Sequence, residues 1–77
     1  YGSYYAEMNV YLKTILNEAL SRLPEIQKSV ILLRDYEGYS YEEIGEVCKL
    51  SESQVKVYIY RARLTLQKYL VKVDLVI

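Results

Sequence analysis

Apolar residues recur at spacings of three and four through the first third of the chain. Met8, Leu12, Ile15, Leu16, Ala19, Leu20 and Leu23 fall on one stripe, which predicts a helix over about 6–22. Pro24 stops it, because proline disfavours helical geometry in the residue before it. The same proline suits the first position of a second helix, over about 24–36, with Glu25 near its positive end. Ile26, Val30 and Leu33 line one face of that helix, and Ile31 and Leu32 widen it. Gly38 is the left-handed residue that ends it.

The next stretch, Ser40 to Arg63, organises the rest. Ser40 with Glu43, and Ser51 with Gln54, each have the spacing of a capping box. Tyr39 with Ile44, and Leu50 with Val55, have the spacing of a hydrophobic staple. Two helix starts so close together predict a short helix over about 41–48, a tight turn, and a longer helix over about 52–70. Gly45 belongs where the short helix passes close to the longer one. There a leucine would not fit, and an alanine is expected to be tolerated. The fold class is all-α: a small four-helix domain containing a helix-turn-helix.

At about 100° per residue, Val55, Ile59, Ala62, Leu66 and Tyr69 share the face of the last helix that must be buried. Ser53, Val57, Tyr60, Arg61, Leu64 and Lys68 point the other way, with Lys56 and Arg63 on the flank. That outward face is basic and carries hydroxyls and an aromatic ring, which suits phosphates and base edges. A solvated amphipathic helix would share some of these features; the paired capping boxes and Gly45 weigh against so plain a reading.

Composition changes the picture in three places. Seventy-seven residues with 52% apolar side chains make one small domain with a real core. No apolar run reaches the roughly 20 residues of a membrane span, so no membrane role is expected. Net charge is zero but divided: residues 1–47 carry a net of −4 and residues 48–77 a net of +4. One half is expected to face phosphate and the other a protein, with a basic patch too modest for tight DNA binding by this piece alone.

One cysteine and no histidine exclude an intrachain disulfide or a Cys/His zinc site, and fit a cytoplasmic location. Cys48 reads as a plain core residue. No Gly-rich phosphate loop and no nucleophile with a base is visible, so neither catalysis, cofactor nor metal is expected. Glu42, Glu43 and Glu46 cluster at a helix start for dipole reasons. Of ten tyrosines, Tyr36, Tyr39, Tyr41, Tyr58 and Tyr69 are expected at the edge of the core, and Tyr60 outside it.

The ends stand apart. Residues 1–5 read as a linker remnant, and Tyr1 as the start of a fragment of a longer protein. Residues 71–77 form an apolar tail, alternating as in a strand or continuing the helix. Either way it offers surface for packing or self-association.

Together, Leu23-Pro24, Glu37-Gly38, Ser40-Tyr41-Glu42-Glu43-Ile44-Gly45, Ser51-Glu52-Ser53-Gln54-Val55-Lys56 and Arg61-Ala62-Arg63 resemble region 4 of sigma-70 family sigma factors, closest to the extracytoplasmic-function group. The resemblance spans about 17–70. It implies recognition of a promoter −35 element, with the last helix in the major groove and the earlier helices docked on the beta-subunit flap of core RNA polymerase. It also implies an anti-sigma factor as a candidate partner. The residues expected at DNA are Ser53, Gln54, Lys56, Val57, Tyr60, Arg61 and Arg63. Val57 stands where a small hydroxyl residue is usual, and Tyr58 where a basic one is common. Lys49 replaces the common turn glycine, a tolerable change if Lys49 avoids positive φ. The alternative is the DNA-binding domain of a LuxR-type response regulator, acting at an operator as a dimer. The Leu23-Pro24 opening and the Arg61-Ala62-Arg63 ending favour sigma.

Overall fold

Pro24 separates two helices without belonging to either. With φ −54° and ψ 149° it is the N-cap of the second, one position earlier than expected, because its ψ is still extended. Its carbonyl accepts the Lys28 N–H at 3.0 Å and so starts the helical ladder. The computed structural model describes residues 2–73, with side chains from Val10 onward. The order is α1 (Gly2–Ser21), α2 (Glu25–Ile31) running into a π-helical turn (Leu32–Tyr36), α3 (Tyr41–Cys48) and α4 (Glu52–Lys72). The described residues contain four helices and no strand.

The core has two clusters, and α4 serves both. Leu20, Leu23, Ile31 and Ala62 join the end of α1 to α2 and α4, with Leu16, Leu32 and Leu66 packed around them. Val30, Ile44, Val55 and Ile59 join α2, α3 and α4. Val30 and Ile31 are adjacent in sequence and feed one cluster each. Ile44, Val30 and Val55 are the largest fully buried side chains. Each such side chain stabilises the fold by about 1.5–3 kcal/mol relative to leaving it in water.

Several expectations need correction. Helical backbone begins at Gly2, inside the stretch read as linker; the one strong helix breaker there, Gly2, sits at the helix end, where it does least harm. Leu12 is exposed, as are Val10 and Tyr11, because packing of α1 starts only around Ile15 and Leu16. Below that point α1 is clasped to α4: the Tyr69 hydroxyl donates to Glu18 Oε2 at 3.0 Å, and the Arg22 guanidinium lies 4.5 Å from the Tyr69 ring centroid. Tyr36 and Tyr39 are exposed, and it is Tyr41 that packs, partly buried, on the cluster holding Ile44. Leu50 does pack beside Val55 as expected, and Cys48 is half-buried against the same cluster.

The helix α4 continues through Lys72, where Val73 closes it by donating to the Tyr69 carbonyl at 3.0 Å. The start of the apolar tail is therefore helical. The rest of it, residues 74–77, and with it the strand and self-association readings, lies outside the described residues.

Candidate nucleic-acid interface

Both helices of the helix-turn-helix are capped as their sequences dictate. Ser40 Oγ accepts the Glu43 N–H at 3.0 Å, and Glu43 Oε1 accepts the Ser40 N–H at 2.8 Å. Ser51 Oγ accepts the Gln54 N–H at 3.1 Å, and Gln54 Oε1 accepts the Ser51 N–H at 2.9 Å. The two hydrogen bonds to Ser40, backbone first and side chain second, hold the Glu43 carboxyl below its ordinary value.

Between the two helices, Lys49 has φ 57° and ψ 48°. The condition for an unstrained replacement of the turn glycine, that Lys49 avoid positive φ, is not met. The turn closes by Lys49 and Leu50 both donating to the Gly45 carbonyl, and that geometry requires a left-handed residue. Gly45 faces this turn at very short range. A Cβ there would lie 2.7 Å from the Leu50 carbonyl oxygen, so alanine does not fit, contrary to expectation. The close approach is to the turn backbone; Val55 on α4 is 3.9 Å away.

The turn aims α4. Val55, Ile59 and Ala62 are buried beneath it, and Leu66 and Tyr69 are half-buried. Ser53, Gln54, Lys56, Val57, Tyr60, Arg61 and Arg63 are all exposed. At 3.6 residues per turn they occupy an arc of about 180° opposite the buried stripe. Tyr60 is 67% exposed, with Val57 and Leu64 beside it on the same face.

Their side chains have unequal freedom. Gln54 is engaged by its amide oxygen in the capping box, which leaves its NH₂ group outward. Lys56 Nζ lies 5.3 Å from the Tyr41 ring centroid. The Arg61 guanidinium lies 6.0 Å from that of Tyr58. Arg63 donates from Nε to Asp35 Oδ2 at 3.1 Å and from Nη2 to Asp35 Oδ1, a bidentate pair. That hydrogen bonding pushes the Arg63 pKa further up, so the guanidinium stays charged.

Two residues of this surface were missed in the sequence. Arg34 and Asp35 both lie in the π-helical turn that ends α2. The Arg34 guanidinium stacks 4.3 Å from the Tyr41 centroid, and its Nη1 donates to the Tyr39 carbonyl at 2.8 Å. Tyr41 thus carries two cations, Arg34 and Lys56. No glycine or proline marks the π turn, so the sequence held no signal for where these side chains point.

A short capped helix, a left-handed turn, and a long helix with its basic and aromatic face outward define a helix-turn-helix DNA-binding domain. More narrowly, the chain belongs to the family described as sigma-70, region 4, whose model matches residues 13–66. It is 40% identical over 57 residues to the RNA polymerase sigma factor YlaC of Bacillus subtilis, covering 74% of this chain and 33% of that protein. It is 40% identical over 65 residues to the RNA polymerase sigma factor SigV of the same species, covering 84% and 39%. It is also 40% identical over 52 residues to the ECF RNA polymerase sigma-E factor of Haemophilus influenzae, covering 68% and 28%. These likenesses place it in the extracytoplasmic-function group and disfavour the response-regulator alternative. The chain spans about a third of the length of the curated relatives it matches. No helix among the described residues is long and apolar enough to cross a membrane.

Proposed function

We propose that this chain is the part of a sigma factor that recognises a promoter −35 element during transcription initiation. Helix α4 enters the major groove, and the earlier helices dock on the beta-subunit flap of core RNA polymerase. It acts by binding, not by catalysis, and in the cytoplasm. The carrying observation is the outward arc of α4, whose exposed polar, cationic and aromatic side chains lie opposite buried Val55, Ile59 and Ala62. Arg61 reads a base, because a guanidinium can donate two hydrogen bonds to a guanine edge. Ser53 and the Gln54 amide add polar contacts at the start of the helix, Val57 meets a thymine methyl, and Tyr60 meets a base or sugar. Lys56 and Arg63, joined by Arg34 at the flank, meet phosphates. An anti-sigma factor covering Val57, Tyr60 and Leu64 would occupy the same face as DNA, so the two would exclude each other.

The test is selection of duplexes from a randomised pool by the chain, followed by competition against single-base variants. Arg61→Ala is expected to cost about 1–3 kcal/mol on the selected duplex and to relax preference at one base pair. Lys56→Ala is expected to weaken all duplexes alike and to shallow the salt dependence. Equal losses for Arg61→Ala on every duplex would remove its base-reading role. Absence of any enriched sequence would remove the proposal. Co-purification with the polymerase beta subunit tests the docking half.

A further inference from the structure

We infer that Asp35 is a positioning residue for DNA binding: it holds the Arg63 guanidinium ready for a backbone phosphate. This rests on the proposal that α4 binds duplex DNA and deepens it. On helix α4, Lys56, Tyr60 and Arg63 fall at i, i+4 and i+7 along one edge, with Lys56 near Tyr41 of α3 and Arg63 on Asp35 at the end of α2. At that end the π-helical turn presents Arg34 to Tyr41 and Asp35 to Arg63, so Arg34, Lys56 and Arg63 form one cationic rail. Asp35 is the carboxylate in contact with it.

A carboxylate there has two physical outcomes. It competes with phosphate for the arginine, or it orients the arginine toward phosphate. The geometry decides. Asp35 engages the side of the guanidinium formed by Nε and Nη2. An arginine has five N–H donors, so both on Nη1 and the second on Nη2 stay available. A phosphate oxygen can take these without displacing Asp35. The Arg63 side chain is 51% exposed, so DNA can reach it. A free arginine loses rotamer freedom on binding; one already pinned loses less. The added negative charge opposes DNA, but it is in contact with the positive charge it neutralises, and salt screens the remainder.

The inference predicts an effect of counter-intuitive sign. Asp35→Ala makes the chain more positive by one charge, yet binding to a short random-sequence duplex is expected to weaken by roughly threefold to tenfold. The slope of log affinity against log salt should shrink by about one contact. Asp35→Glu, which keeps the carboxylate, should restore most of both. In an Arg63→Ala background, Asp35→Ala should change nothing further. Unchanged or tighter binding by Asp35→Ala would overturn the inference, as would an undiminished loss in the Arg63→Ala background. A lowered melting temperature with an unmoved salt slope would also overturn it, since that marks a merely structural ion pair. Lys56→Ala is the internal control. If the wild-type chain itself binds no duplex, the DNA proposal fails and this inference falls with it. If Lys56→Ala weakens binding and Asp35→Ala does not, only the inference is lost.

Discussion

Two turns in this chain solve the same problem with different residues. Each follows a helix, passes through one left-handed residue, and delivers the chain to a serine N-cap with a complete capping box. Before α3 the left-handed residue is Gly38, with φ +76° and open space around a notional Cβ. Before α4 it is Lys49, with φ 57°. The first box closes with a glutamate and the second with a glutamine. The first turn has room for a side chain at its left-handed residue, and is held by Tyr39, whose N–H donates to the Leu33 carbonyl at 2.9 Å and whose carbonyl accepts from Arg34. The second carries an energetic penalty and is braced by Gly45, whose carbonyl accepts the Leu50 N–H at 2.9 Å and which leaves no room for a Cβ beside the Leu50 carbonyl. Precision is concentrated where it sets the angle of α4, the helix proposed to enter the major groove.

The largest expected effect separates the turns at their bracing. Gly45→Ala should destabilise the fold by about 2 kcal/mol or more, since the Cβ meets backbone that cannot rotate away. Moving Leu50 aside would also strain its 2.9 Å hydrogen bond to the Gly45 carbonyl. Thermal melts and duplex binding should fall together. Gly38→Ala, by contrast, meets no atom and should lose only the backbone term, about 1 kcal/mol. A Gly45→Ala variant as stable as wild type would show that the second turn is no tighter than the first.

The next effect has the opposite sign. Lys49→Gly should stabilise the chain by about 0.5–1 kcal/mol, because relief of the left-handed strain outweighs the added chain entropy of glycine. A denaturant titration with unchanged slope would measure it. A loss of stability would mean that Lys49 holds the turn through its side chain.

Local chemistry was legible in the sequence, and its tertiary consequences were less so. The capping boxes, the buried stripe of α4 and the left-handed Gly38 follow from short-range patterns, and all are present. The outward residues of α4 were identifiable because they are the complement of that stripe. Leu12 failed because periodicity shows which face of a helix is apolar, not how far along it a partner extends. Gly45→Ala was misjudged because helix propensity favours alanine, while a carbonyl five residues away forbids it. Arg34 and Asp35 were invisible because a π turn has no composition of its own. Their directions depend on how α2 ends against α3 and α4.

The smallest expected effect distinguishes the two capping boxes by acid. Glu43 titrates and Gln54 does not. The folded chain holds the Glu43 carboxyl below its ordinary value, because the charged form accepts the Ser40 N–H and interacts with the Ser40 hydroxyl. A group whose pKa is depressed on folding contributes stability that is fully present above its unfolded value. That contribution is lost as pH falls through the folded value, because the unfolded chain then binds the proton more readily. The first turn should therefore weaken on acidification below the ordinary carboxylate range, while the second keeps its cap. The Ser40 and Ser51 amide protons report the two boxes separately, by NMR shift or by hydrogen exchange. Ser40 should move with pH in that window and Ser51 should not. Glu43→Gln should abolish the Ser40 response, and Gln54→Glu should create one at Ser51. If Ser51 shifts in the wild type as strongly as Ser40, the two turns are coupled through α3 and do not open independently.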